Sequence, residues 1–209
     1  MLGVIIPARN ERDNIGAVIE SLILLKVLPK DIFLVDSLST DDTVSVGQSY
    51  GINILSATKR GYQAALSCGL NGLLANNYRD FLIVDGDNEI RMQAIKKFLD
   101  DQYDYPELSI GVRPKAKRIG ELITNSFFNY KYGIKDILCG VKRGNLNLFN
   151  PKNSLEYGLD LFHFSEMKGH VKNIDIDLIQ RNESRLGGTL AVNIGLIQNL
   201  IFYIFRLAS

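Results

Sequence analysis

Phe81-Leu82-Ile83-Val84-Asp85-Gly86-Asp87-Asn88-Glu89 is the stretch on which the reading of this chain turns. Four apolar residues in a row predict a strand buried on both faces. The run then breaks into three carboxylates within five residues. Clustered acids at the end of a core strand call for a positive partner. A hard divalent cation, Mg²⁺ or Mn²⁺, holding an anionic ligand such as a diphosphate meets that need with oxygen ligands. The same letters also spell a turn, because Asp, Gly and Asn are turn formers. Asp-x-Asp alone does not separate the two readings, and the surrounding sequence has to.

Outward from that strand, short apolar runs alternate with helical patterns, which marks an α/β domain with a mostly parallel sheet. Strands are expected at 2–6, 32–35, 52–55, 81–84 and 108–112, and a further one within 171–180. Helices are expected from Asp13 or Asn14 to about residue 26, and at 40–50, 62–75, 92–99, 119–132 and 157–168. Gly51 and Gly169 are read as helix stops. The 137–149 stretch reads as irregular with a strand inside it. Ala64, Ala65, Ser67 and Gly69 predict a helix that packs closely on its sheet. Residues 190–208 are rich in Leu, Ile and Phe but carry Asn193, Gln198, Asn199 and Arg206. That composition is marginal for a spanning helix and better suited to an amphipathic helix lying on a membrane or on the domain.

The chain has 209 residues and a net charge of +1, which suits one domain and gives no electrostatic pull toward nucleic acid. Cys68 and Cys139 lack metal-type spacing and suggest neither a zinc site nor a disulfide framework. Ligands of open parallel sheets bind beyond the carboxyl ends of the strands. Here those ends are followed by Pro7-Ala8-Arg9-Asn10-Glu11, by Asp36 to Thr43, by Thr58-Lys59-Arg60-Gly61, by the acidic cluster, and by Arg113. Acids for a metal and bases for phosphates therefore gather at one rim. The turn after the first strand lacks Gly-x-Gly-x-x-Gly, which argues against a nicotinamide enzyme. No P-loop and no Gly-x-Ser-x-Gly elbow occurs.

In order along the chain, these loops resemble a known family. Val4-Ile5-Ile6-Pro7-Ala8-Arg9-Asn10-Glu11 is similar to the opening of family-two glycosyltransferases with the GT-A fold. Val35 to Thr43 is similar to that family's Val-Asp-Asp-Gly-Ser-x-Asp-x-Thr, with Ser37-Leu38 in place of Asp-Gly. Asp85-Gly86-Asp87 falls at its metal-binding Asp-x-Asp. Arg118 to Asn125 followed by Asp136-Ile137-Leu138-Cys139-Gly140-Val141-Lys142 resembles the Asp-Pro-x-Ser-Gly-Phe-Arg segment of polyprenyl-phosphate sugar synthases, the dolichyl-phosphate mannose synthases among them. Ile137, Leu138 and Val141 depart from that pattern. Gly169, Ile174-Asp175-Ile176 and Arg181 to Leu186 are similar to those enzymes' closing motif, with Asn182 in place of a Gly.

The resemblance implies a GT-A catalytic domain over 1–186 and a C-terminal apolar helical segment over 187–209. It implies Pro7, Ala8, Asn10, Glu11, Asp36, Arg60, Gly61, Asp85 and Gly86 at a nucleotide sugar, UDP- or GDP-linked. Glu11 and Asp36 would then meet the base and ribose; helix capping and turn chemistry are their alternative reading. It implies Asp85, Asp87 and Glu89 around Mg²⁺ or Mn²⁺. Arg113, Arg118, Arg181 and Arg185 become phosphate clamps, a task that suits the two parallel bonds of a guanidinium. Asp87, Arg181, Arg185 and Asp136 become the catalytic set, and Asp160 a second acid near the acceptor. Lys115 and Lys117 complete a basic loop that is either a gate, a patch for anionic lipid or a solvated surface. The implied activity is an inverting, metal-dependent transfer of a hexose to a polyprenyl phosphate at the cytoplasmic face of a membrane. The alternatives are a carbohydrate hydroxyl as acceptor, or a sugar-nucleotide-binding domain without turnover.

Overall fold

A computed structural model of the chain describes residues 1–100, 108–114, 118–152, 155–164, 170–179 and 189–208. Its strands are β1 (Leu2–Ala8), β2 (Ile32–Asp36), β3 (Asn53–Ser56), β4 (Asp80–Val84), β5 (Leu108–Val112), β6 (Val141–Asn145) and β7 (Val171–Asp175). Its helices are α1 (Arg12–Leu24), α2 (Thr43–Ser49), α3 (Tyr62–Ala75), α4 (Met92–Leu99), α5 (Ile119–Tyr132) and α6 (Thr189–Ala208). The strands form one sheet in the order β3-β2-β1-β4-β6-β5-β7. All neighbours run parallel except β6, which lies antiparallel between β4 and β5. This is the expected mostly parallel α/β sheet.

Val4, Ile5 and Ile6 of β1 and Phe81 to Ile83 of β4 are wholly buried, as strands covered on both faces must be. On α1 the buried face is Ile15, Val18, Ile19 and Leu22, the spacing that predicted it. That helix begins earlier than Asp13 or Asn14, because the Glu11 carbonyl already accepts from the amides of Asn14 and Ile15. On α3, a Cβ at Gly69 would stand 2.7 Å from Ile5 Cγ2, so the small residue lets the helix seat on β1. Cys68 and Cys139 are both free thiols.

The expected helix at 157–168 is corrected over its described part. Glu156–Gly158 forms only a 3₁₀ turn, because Tyr157 (φ 61°) and Gly158 (φ 72°) are consecutive left-handed residues. Phe162 then bridges Phe149 and stacks on Phe81 at 5.1 Å. Leu155, Leu159, Leu161, Phe162 and Phe164 are all buried, and no helix face could bury that spacing alone. Residues 165–169, with the stop at Gly169, lie outside the described residues.

Three polar residues of α6 bond back to the domain, while Gln198 is exposed. The Asn193 side chain accepts from the Gly120 amide at the start of α5 (2.8 Å), Asn199 accepts from the Glu156 amide (3.0 Å), and Arg206 pairs with Asp160 (2.9 Å). Leu196, Leu200 and Tyr203 are buried with them, and Tyr203 lies among Phe127, Phe128 and Tyr132. Leu190, Ile194, Ile201, Phe202 and Phe205 face outward and are exposed.

Candidate active site

β1, β2 and β4 are neighbours, so the loops at their carboxyl ends meet over one cleft of about 320 Å³. β1 contributes Pro7, Ala8, Arg9 and Glu11, and β2 contributes Ser37. The start of α3 contributes Gly61, Tyr62 and Ala65, and β4 contributes Asp85, Gly86 and Asp87. Gly86 is required by crowding: a Cβ there would be 3.0 Å from the Pro7 carbonyl, which its amide also meets. Gly61 is required by conformation, with φ 126° at the entry to α3.

The β2 loop explains one departure from the family pattern. Ser37 Oγ accepts from the Gly61 amide at 3.0 Å and ties the loop to the start of α3. Leu38, where the family pattern has Gly, takes a left-handed conformation at φ 59°. A branched-chain residue there costs roughly 1–2 kcal/mol of backbone strain.

Of the residues expected at a nucleotide sugar, Pro7, Ala8, Glu11, Gly61, Asp85 and Gly86 line the cleft, while Asn10, Asp36 and Arg60 are not part of its lining. Asn10 holds the Thr40 amide (2.8 Å), and both Asp36 oxygens accept from the Ser39 amide. These are turn and capping bonds that fix the loop. Asp41 accepts from the amide of Thr43, the first residue of α2, at 3.0 Å.

Asp85 Oδ1 accepts from the Tyr62 hydroxyl at 3.0 Å, and its amide donates to the Gly140 carbonyl at 3.1 Å. Burial, together with the charge of Asp87, pushes its carboxyl up to about 6, against the pull of Lys142. Asp87 lines the same cleft and turns Oδ1 to the Glu89 amide. Two partly buried carboxylates that repel one another across an open cleft fit a divalent cation, which would remove the repulsion that raises Asp85. Glu89 stands outside the cleft lining, and its carbonyl accepts from the Ile179 amide. Among the described residues no group of three His, Cys, Asp or Glu is placed to hold a metal. The acid pair therefore leaves its other ligand positions to phosphate and water.

Behind the acids lies a buried ionic network. Asp136 accepts from Arg113 Nε (2.7 Å) and Nη2 (2.8 Å) and from Asn125 (3.1 Å). Glu121 accepts from Arg118 at 2.8 Å. Burial alone would raise the Asp136 carboxyl, and the Arg113 guanidinium more than offsets that and lowers it. The forks of Arg113 and Arg118, expected to clamp phosphate, are thus held by acids of the chain itself. Asp160 likewise holds Arg206 and the Leu155 amide. Arg181, Arg185, Asn182, Lys115 and Lys117 lie outside the described residues.

Sequence reasoning missed Arg9, Ser37 and Tyr62 in the lining, and Lys142 beneath it. Lys142 is buried, and its ammonium donates to the Cys139 carbonyl. Tyr62 directly follows Arg60-Gly61, which reads only as a helix start. Nothing in the local sequence announces that its hydroxyl reaches Asp85.

Comparison with known proteins gives three findings. The family model for glycosyl transferase family 2 matches residues 3–153. Among solved structures, mannosyl-3-phosphoglycerate synthase from Rubrobacter xylanophilus superposes with TM-score 0.78 at 18% identity, over 100% of this chain and 75% of that one. Glucosyl-3-phosphoglycerate synthase from Mycobacterium tuberculosis, in complex with Mn²⁺, UDP and glucosyl-3-phosphoglycerate, gives 0.72 at 19% identity, over 96% and 78%. At such identities these two establish the shared fold. The 4,4'-diaponeurosporenoate glycosyltransferase of Staphylococcus aureus is 43% identical over 54 residues, 26% of this chain; the match spans only 14% of that relative's length.

Proposed function

The chain belongs to glycosyl transferase family 2, and on that premise we propose that it transfers a hexose, with inversion, from a nucleoside diphosphate sugar to a polyprenyl phosphate at a membrane surface. The observation that carries this reading is the paired Asp85 and Asp87 in the cleft over β1 and β4. Asp85 and Asp87 would hold Mg²⁺ or Mn²⁺, which when bound supplies Lewis-acid neutralisation of the departing diphosphate. The start of α3, entered through Gly61, directs backbone amides toward the anion. Glu11 and Ser37 border the nucleotide side of the cleft. In the transfer, an acceptor oxygen bonds to the anomeric carbon, the bond from that carbon to the diphosphate breaks, and the nucleoside diphosphate leaves with the electron pair.

The acids support a phosphate acceptor. A hydroxyl acceptor must lose a proton to a nearby base. Asp136 and Asp160, the two acids nominated by sequence, instead hold Arg113 and Arg206. A phosphate acceptor is already an anion and needs positioning alone. The lipid half of the proposal is supported by α6. Residues Leu190–Leu207 have a mean hydropathy of 1.6 and are only 17% buried. Asn193, Asn199 and Arg206 bond inward, and Leu190, Ile194, Ile201, Phe202 and Phe205 make up much of the exposed surface, with Gln198 exposed among them. Ile119, Leu122 and Ile123 of α5 are exposed as well. A helix face of this kind suits the interfacial region of a bilayer.

The test is a labelled-donor transfer assay with detergent-solubilised polyprenyl phosphate set against soluble sugar acceptors, with Mg²⁺ or Mn²⁺ present. The wild type is expected to label the lipid phosphate, and Asp87→Ala to lose on the order of 10²–10³-fold in turnover. Unchanged turnover in Asp87→Ala would overturn the metal assignment. Labelling of the sugar acceptor alone would replace the lipid reading with a hydroxyl acceptor.

A further inference from the structure

The two acids of the cleft are fixed by different means. Asp87 is held by its own loop: Oδ1 accepts from the Glu89 amide at 3.1 Å, and Asn88 between them takes the left-handed turn at φ 58°. Asp85 is fixed from outside its loop. Its Oδ1 accepts from the hydroxyl of Tyr62, the first residue of α3, at 3.0 Å. Its other oxygen faces the Cα of Gly140, where a Cβ would stand 2.0 Å from Oδ2. The Asp85 amide donates to the Gly140 carbonyl. One side of the carboxylate thus meets a donor from α3, and the other meets bare backbone just before β6.

Resting on the site reading above, we infer that Tyr62 is a positioning residue: its hydroxyl sets the direction of the Asp85 carboxylate, and through it the affinity of the cleft for a divalent cation and its diphosphate. The physical case is one of order. The Tyr62 hydroxyl at 3.0 Å and the bare backbone of Gly140 hold the Asp85 side chain from both sides. The hydrogen bond removes rotational freedom from Asp85, so less order has to be imposed when a cation arrives. Tyr62 lies at the mouth of the helix whose start borders the cleft, so a shift of α3 would also reach Asp85.

The experiment measures Mn²⁺ binding to the full chain in the presence of UDP, by electron paramagnetic resonance of free Mn²⁺. It compares the wild type with Tyr62→Phe, Asp85→Asn, Asp87→Asn and the Tyr62→Phe/Asp85→Asn double variant. Tyr62→Phe is expected to raise the dissociation constant about tenfold, the effect of losing one hydrogen bond to a charged group. In the Asp85→Asn background the same change is expected to add less than twofold, because the carboxylate that the bond positions for the cation is already gone. Melting of each metal-free variant reports folding separately. A Tyr62→Phe affinity within twofold of wild type overturns the inference, provided Asp87→Asn weakens binding. An equal Tyr62→Phe loss in both backgrounds also overturns it, since the ring would then act on the fold and not on Asp85. If neither Asp85→Asn nor Asp87→Asn weakens Mn²⁺ binding, the site reading itself fails, and the inference with it.

Discussion

At the scale of single residues, the buried network behind the cleft has a defined pH signature. Asp136 is bound by Arg113 through two guanidinium bonds and a backbone amide. Its folded carboxyl lies below its ordinary value, so the unfolded chain binds that proton more tightly. The stabilisation is complete above the ordinary carboxylate value of about 4 and is lost as pH falls through the lower folded value. Asp136→Asn leaves the Arg113 charge, among the described residues, with the more distant Glu121 carboxylate at 3.8 Å. It is expected to cost about 3 kcal/mol near neutral pH. Urea midpoints between pH 2 and pH 7, taken as a range of about five units around that ordinary value, are expected to show a flatter acid limb in the variant. An equally steep limb in both proteins would mean that other acids carry it. Residue chemistry also limited what the sequence could reveal. Asp85, Gly86 and Asp87 are neighbours in the chain, so their meeting in the cleft was legible. Tyr62, Gly140 and Lys142 reach Asp85 only through tertiary structure. The strained Leu38 holds a left-handed turn where the family pattern has Gly.

At the scale of elements, α6 combines two surfaces with opposite demands. Phe202 and Phe205 are 60% and 69% exposed, whereas Tyr203 between them is 6% exposed. Phe202→Asp/Phe205→Asp is expected to abolish co-sedimentation with anionic vesicles while changing stability by less than about 1 kcal/mol. Tyr203→Ala, by contrast, is expected to cost about 3–4 kcal/mol, because its ring packs in the aromatic cluster of α5. Vesicle pelleting and thermal melting of the same variants separate the two surfaces; pelleting that survives the double substitution would remove α6 from the membrane reading. The helix was visible in sequence because its apolar run is long. Which side of it faced the protein was not, because Asn193, Asn199 and Arg206 read as a polar face for water. They instead cap α5, hold the 3₁₀ turn and pair with Asp160. The missing helix over 157–164 has a related cause. Leu159, Asp160, Leu161, Phe162 and Phe164 are all buried, so periodicity carried no information about their conformation.

At the scale of the whole molecule, the alternation of strands and helices made the α/β class readable, and the ordered loops made the family readable. The strand order was less accessible, since nothing local in Val141–Asn145 says that it must pass between β4 and β5 in the reverse direction. That insertion has a consequence for how the protein comes to be folded during synthesis. The first four strands emerge together and can form β3-β2-β1-β4 as a nascent half-sheet. The far edge of β4 must wait until Val141–Asn145 has left the ribosome, because Ile83 pairs with Lys142 and Val84 with Val141. Until then an apolar strand presents an open row of amides and carbonyls, the usual seed for association between unfinished chains. A chain stopped at residue 100 is expected to scatter light at micromolar concentration, whereas one that reaches past β6 stays clear. Asp85 and Asp87 stand at the end of that waiting strand, and their mutual repulsion discourages two such edges from pairing. The acids read as ligands in the finished enzyme would then act first as guards of the growing one.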